Sequence, residues 1–180
     1  MIVITKYRLI KDEADERKRC VRSEEKSICP VCAADTLRVI GSRNRRAFDS
    51  KGETLIIVIR RLRCLNCQKI HHELPDILVP YKRYLSKCIE AVIEGQWDGI
   101  SCESSTIYRL RQWFKGMELH IKGSLASVAA RMNVRVEVTC ERLSKSIKAY
   151  VGWEPGWLAK TVRILVNTNN WVHTRFAFMT

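Results

Sequence analysis

From residue 37 to residue 74 apolar and polar positions come in short strand-like runs, and beyond Pro80 the apolar positions recur at helical spacing. The first regime predicts a hairpin. Leu37 to Arg46 and Glu53 to Arg63 flank the turn-forming Asp49-Ser50-Lys51-Gly52, and the second run contains the β-branched block Thr54 to Ile59. A third short strand, Lys69 to Leu74, is closed by Pro75 and Pro80. In the second regime Leu85, Cys88, Ile89, Val92 and Ile93 form one helical stripe, which Gly95 ends. Ser104 or Ser105 then caps a helix that buries Ile107, Leu110, Phe114 and Met117, and a weaker third helix starts at Ser124. Val134, Val136 and Val138 alternate as a short strand or continue that helix. Leu143, Ile147 and Tyr150 mark a further helix that Gly152 breaks, and Pro155 opens a last one through Trp157, Leu158, Val162 and Leu165.

Residues 11–28 break both patterns, because they are mostly charged with mixed sign, and they read as an exposed lead-in outside the core. The chain therefore divides into a charged lead-in (1–27), a cysteine-containing unit (28–79), a helix-turn-helix-like region (80–122) and a helical, aromatic-rich C-terminal region (123–180). Among its tryptophans, Trp153, Trp157 and Trp171 cluster in that last region with Phe176 and Phe178. So much apolar area predicts core packing over a stacking platform for single strands.

Cysteine spacing supplies the chemistry. Cys29-Pro30-Val31-Cys32 and Cys64-Leu65-Asn66-Cys67 are two pairs separated by the predicted hairpin, which would bring four thiolates around one ion. A closed tetrahedral zinc site has no open position for water, so one structural Zn2+ is expected and no catalysis at the metal. Iron and a redox pair compete, although a redox pair belongs at the start of a helix in a βαβ pattern that is not visible. His71 and His72 follow closely, one expected inward and one outward. The fold class is thus α+β: a small N-terminal zinc ribbon, made of a β-hairpin plus a third strand, followed by a mainly helical domain with a helix-turn-helix-like unit.

Charge then selects the partner. The 180 residues hold 32 Lys+Arg against 19 Asp+Glu, a net +13 with pI ≈ 9.6. Residues 38–63 alone carry eight basic side chains against two acidic ones, which centres the field on the hairpin. Arg43, Arg45 and Arg46 on one arm oppose Arg60, Arg61 and Arg63 on the other, and such crowding of like charge calls for a polyanion such as the phosphate backbone. On the helix beginning near residue 104, Ser105, Tyr108, Arg109 and Gln112 lie opposite the apolar stripe. Arg109 suits guanine and Gln112 adenine in a major groove, while Ser104 at the helix N-terminus suits a phosphate. An ordinary amphipathic helix has the same pattern, and the 96–102 linker is longer than the usual turn. No stretch is apolar enough to span a membrane, and two Cys-x-x-Cys pairs without a signal peptide suit a reducing cytoplasm, with nucleoid association following from DNA binding.

A resemblance rests on Cys29-Pro30-Val31-Cys32, on Ile59-Arg60-Arg61-Leu62-Arg63-Cys64 with Cys67, and on His71-His72-Glu73-Leu74-Pro75, which are similar to the zinc ribbons that open bacterial transposase-associated proteins. With Ser105-Thr106-Ile107-Tyr108-Arg109 and the run from Gly156 to Asn169, residues 28–180 resemble an uncharacterised bacterial family, a domain of unknown function often found beside transposon genes. The resemblance implies a zinc-dependent, non-catalytic DNA-binding accessory or regulator of a mobile element, with double-stranded DNA and a transposase as partners. Alternatives are an RNA-binding or transcription-machinery ribbon, or a recombinase or nuclease subunit. The last needs converging carboxylates, and beyond residue 117 only Glu118, Glu137, Glu141 and Glu154 remain.

Overall fold

The computed structural model describes residues 1–136 and 143–172, with the side chains of residues 143 and 144 left aside. Six strands and four helices are seen among them: β1 (Ile2–Ile4), β2 (Tyr7–Lys11), β3 (Lys18–Ser23), β4 (Leu37–Phe48), β5 (Thr54–Cys64), β6 (Ile70–Pro75), α1 (Ser86–Glu94), α2 (Ser104–Arg131), α3 (Leu143–Val151) and α4 (Trp157–Asn167). The mixed α+β reading holds, and the sheet is larger than the expected hairpin with a third strand.

The long β4–β5 hairpin is its spine. Asp49 makes the turn by accepting the Lys51 and Glu53 backbone N–H groups on Oδ1 at 2.9 Å each, and Gly52 takes the left-handed conformation at φ +81°. One edge of β5 pairs with β4 along its whole length. Its other edge is shared by antiparallel β6, at Arg61–Arg63, and parallel β3, at Ile56–Val58. β1 adds beside β6 and β2 beside β3, which gives a curled six-stranded sheet.

The N-terminal segment is thus sheet where an exposed lead-in was expected. Ile2, Val3 and Ile4 are buried in β1, and β3 buries Val21 while its charged neighbours stay near solvent. The charge of residues 11–28 masked this because a strand pairing through its backbone needs few apolar side chains. The outer edge of β1 is covered by Asn167 of α4, whose side-chain amide accepts from Val3 N at 2.8 Å and donates to Val3 O at 2.9 Å.

The helices pack beyond β1 and β6 around one continuous core. α1 runs where its stripe predicts, ends at Gly95 in the left-handed conformation, and buries Cys88 as a core residue. The second and third expected helices are a single helix, α2. Gly123 does not interrupt it, since Met117, Ile121 and Leu125 continue the buried stripe through the glycine, and that burial outweighs its propensity cost of about 1 kcal/mol. The N-cap position is Glu103, without a side-chain cap, so neither Ser104 nor Ser105 caps the helix. Residues 134–136 form no strand, and the rest of that expected strand lies outside the described residues. Trp157 is buried with its ring edge-on to Phe114, whereas Trp153, expected in the core, is 56% exposed. Phe176 and Phe178 lie outside the described residues. No described helix is long and apolar enough to cross a membrane.

Candidate functional site

Cys29 and Cys32 lie in the loop between β3 and β4. Cys64 ends β5, and Cys67 lies in the turn before β6. Each pair is wound by the same backbone hydrogen bonds. Ala33 N–H donates to Cys29 O (2.9 Å) and Cys29 N–H to Ala34 O (2.8 Å); Gln68 N–H donates to Cys64 O (3.0 Å) and Cys64 N–H to Lys69 O (3.0 Å). Ala33 and Gln68, in equivalent places, are both left-handed, at φ +57° and +60°. Two copies of one turn therefore face each other, as the repeated Cys-x-x-Cys spacing requires.

They bring four sulfurs together. All Sγ atoms lie within 4.8 Å of one another, with Cys29–Cys67 and Cys32–Cys64 each at 3.6 Å. A tetrahedral ion with metal–sulfur bonds of about 2.3 Å needs sulfur–sulfur edges of about 3.8 Å, so the four residues fit a metal ion. Cys29 and Cys64 are buried; Cys32 and Cys67 are half-buried. The Ala34 N–H bonded to Cys32 holds that thiol down to about 6. At Cys67 the matching Lys69 N–H also favours thiolate, but burial and the three neighbouring sulfurs push it up to about 11. The four do not ionise independently, and a bound cation favours thiolate at all of them.

The two histidines separate by strand alternation. His71 is buried and its Nε2 lies 3.3 Å from Cys29 Sγ, with Nδ1 3.4 Å from the Met1 amine, so it contacts one of the four sulfurs from outside the set. His72, half-buried on the opposite face of β6, is pushed down by burial and by Arg43 and Arg61. The role of His71 was legible only as far as the alternation of β6.

The hairpin arginines are not equivalent. Arg60 donates from Nε and Nη2 to the two oxygens of the fully buried Glu73, at 2.7 and 2.8 Å, and Ser27 Oγ donates to the same carboxylate at 2.6 Å. This guanidinium is committed within the fold. Arg43, Arg46 and Arg63 are exposed; Arg45 and Arg61 are half-buried. Arg45 donates from Nη2 to the Lys82 carbonyl at 3.5 Å, and burial, with Arg43 beside it, lowers its pKa. Lys82 itself lies 4.1 Å above the Trp113 ring and is pushed down to about 8 by burial.

On α2, Ser104, Ser105, Tyr108, Arg109 and Gln112 are all exposed. Arg109 folds back along its own helix, donating to Ser105 O at 3.1 Å and to Ser105 Oγ at 3.0 Å. Ser104, Tyr108 and Gln112 line a groove with Ile107, Arg111 and Glu118. Residues 95–103 separate α1 from α2, a longer connection than the three or four residues usual in a helix-turn-helix. Glu137 and Glu141, two of the carboxylates weighed for a nuclease, lie outside the described residues, and Glu118 lies in the α2 groove.

The family model of a domain of unknown function (DUF6431) matches residues 29–110, from the first of the four clustered cysteines into the first turns of α2. No curated protein and no solved structure matches the chain.

Proposed function

We propose that this chain is a zinc-dependent DNA-binding protein, non-catalytic, serving as an accessory or regulator of a mobile element. The observation that carries the reading is the coincidence of a closed four-sulfur site with a strongly basic hairpin in a chain of net +13. In it Cys29, Cys32, Cys64 and Cys67 hold one structural Zn2+, which pins the two ends of the β4–β5 hairpin and so presents its arginines to phosphate. Arginines on a sheet give affinity and salt dependence. Base choice comes from the exposed start of α2, where Arg109 and Gln112 have the donors and acceptors to read a major groove in a helix-turn-helix-like manner. The mobile-element role and a transposase partner rest on the family resemblance of residues 28–180.

Elemental analysis of the purified protein should return one zinc per chain; iron would refute the metal assignment. A competition assay should rank duplex DNA above single strands and structured RNA. Equal affinity for all would sink base reading, and preference for RNA would move the protein to the RNA-binding class. Magnesium-dependent cleavage lost on changing Glu137 or Glu141 would overturn the non-catalytic reading.

A further inference from the structure

The register of β4, β5 and β6 sorts the basic residues in a way their numbering conceals. Side chains alternate faces along a strand, and cross-strand partners share a face. Arg43 pairs with Ile59 and Arg45 with Ile57, so both lie on the face of Arg61 and Arg63. Arg46 pairs with Ile56 and lies on the other, with Arg60. In a regular strand the even-numbered Arg38 would accompany Arg46.

A bulge prevents it. Val39 pairs with Leu62 and Gly41 with Arg61, leaving Ile40 as the extra residue, and Arg38 before the bulge pairs with Arg63. One inserted residue reverses the alternation and moves Arg38 onto the face of Arg43 and Arg45. β6 adds His72, opposite Arg61. In the row Gly41–Arg61–His72 the glycine leaves a gap, since among the described residues no atom outside its chain neighbours comes within 4 Å of where its Cβ would stand.

This face of the three strands carries no Asp or Glu, and none of its arginines has a carboxylate partner among the described residues. The buried Nε of Arg45 has no hydrogen-bond partner among them either. Arg61 stands opposite His72 across the β5–β6 ladder, and burial, Arg43 and Arg61 together lower the His72 pKa. The opposite face carries Cys64, His71 and the neutralised Arg60–Glu73 pair. Metal and basic side chains therefore occupy opposite sides of one sheet.

We propose that the bulge-sorted face formed by Arg38, Arg43, Arg45, Arg61, Arg63 and His72 is a phosphate-binding face that seats a nucleic-acid phosphodiester in the gap at Gly41, and that Arg46 and Arg60 take no part. It deepens the DNA-binding reading and rests on it. An anion there accepts from several guanidiniums at once, satisfies the orphaned Arg45 Nε and relieves the repulsion that crowds the row. Because the contacts go to phosphate, they are indifferent to sequence.

The test uses the zinc-loaded full chain and a short DNA duplex titrated between about 50 and 200 mM salt. Arg43→Gln with Arg61→Gln should weaken binding by about tenfold or more and flatten the salt slope by about two, while Arg46→Gln stays within about twofold of the parent. Equal losses in both variants, or none in the double variant, would overturn the sorting. A second measurement needs no variant to fold: the His72 imidazole resonances should move when the duplex, or inorganic phosphate alone, is added, and those of His120 should not. If the duplex binds but leaves His72 unmoved, this face is not the one used, and the DNA reading survives elsewhere. If inorganic phosphate moves His72 but no duplex binds, the face is a free-phosphate site, and both the nucleic-acid assignment and the DNA reading fall. If neither moves it, the anion site is refuted.

Discussion

Single side chains in this protein are told apart by what they touch, and two arginines adjacent in sequence, Arg60 and Arg61, show it. Arg60 reaches a fully buried carboxylate, so Arg60→Ala leaves Glu73 buried and uncompensated apart from Ser27, and should cost about 3 kcal/mol in urea unfolding. The lower end of the range for buried pairs applies because the Arg60 side chain is 35% exposed. A loss of DNA affinity without any loss of stability would contradict the structural role. At the four sulfurs, Cys64→Ser should lower zinc content and unfold the hairpin, since Cys64 is buried and closes β5; a stable variant that retains full zinc would refute its place as a ligand. The cysteine set was legible from spacing alone because two residues between paired cysteines is a local property. The commitment of Arg60 was not, because Glu73 becomes its neighbour only through the β5–β6 register.

Among the elements, α4 and α2 depend on different supports. The first-turn N–H groups of α4 are met from another helix: Glu90 of α1 accepts from Gly156 N at 2.7 Å and Leu158 N at 2.8 Å, and Glu94, one turn on, accepts from Trp157 Nε1 at 2.7 Å and pairs with Lys148. Glu90→Gln keeps one acceptor and loses the charge, and should cost about 1–2 kcal/mol with faster amide exchange in the first turn of α4; unchanged exchange there would show that the cap is not needed. α2 carries a removable weakness. Among the described residues a Cβ at Gly123 meets nothing within 4 Å beyond its own helix backbone, so Gly123→Ala should raise stability by about 0.5–1 kcal/mol, read as a higher urea midpoint with an unchanged slope. A loss would mean that the helix needs a break there. The stripe and Gly95 placed α1, and the stripe placed α4, although that helix opens at Trp157 behind a left-handed Gly156 and not at Pro155; the continuity of α2 did not follow, because propensity at one glycine opposed packing along the rest of the helix.

At the scale of the molecule, the four-cysteine cluster, the sheet and the helical layer are tied in series. The four-cysteine site holds the ends of the hairpin, β5 pairs with β3 and β6, β6 with β1, and β1 is covered by Asn167 of α4. Removing zinc with a strong chelator should therefore lower the unfolding temperature of the whole chain and make it depend on free zinc. Loss confined to residues 28–79, with the α4 signals unchanged, would show two independent units. By itself the sequence determined what depends on neighbours along the chain: the cysteine pairs, the hairpin and its turn, the strand that became β6, the stripes of the helices and the excess of positive charge. Tertiary structure alone decided what depends on register and distant contact. It drew the charged N-terminus into the sheet through backbone pairing, joined two expected helices by packing across Gly123, and gave Arg60 to Glu73. At Ile40 it inserted one residue that changes the face on which Arg38 stands, because alternation is counted along the paired ladder and not along the chain.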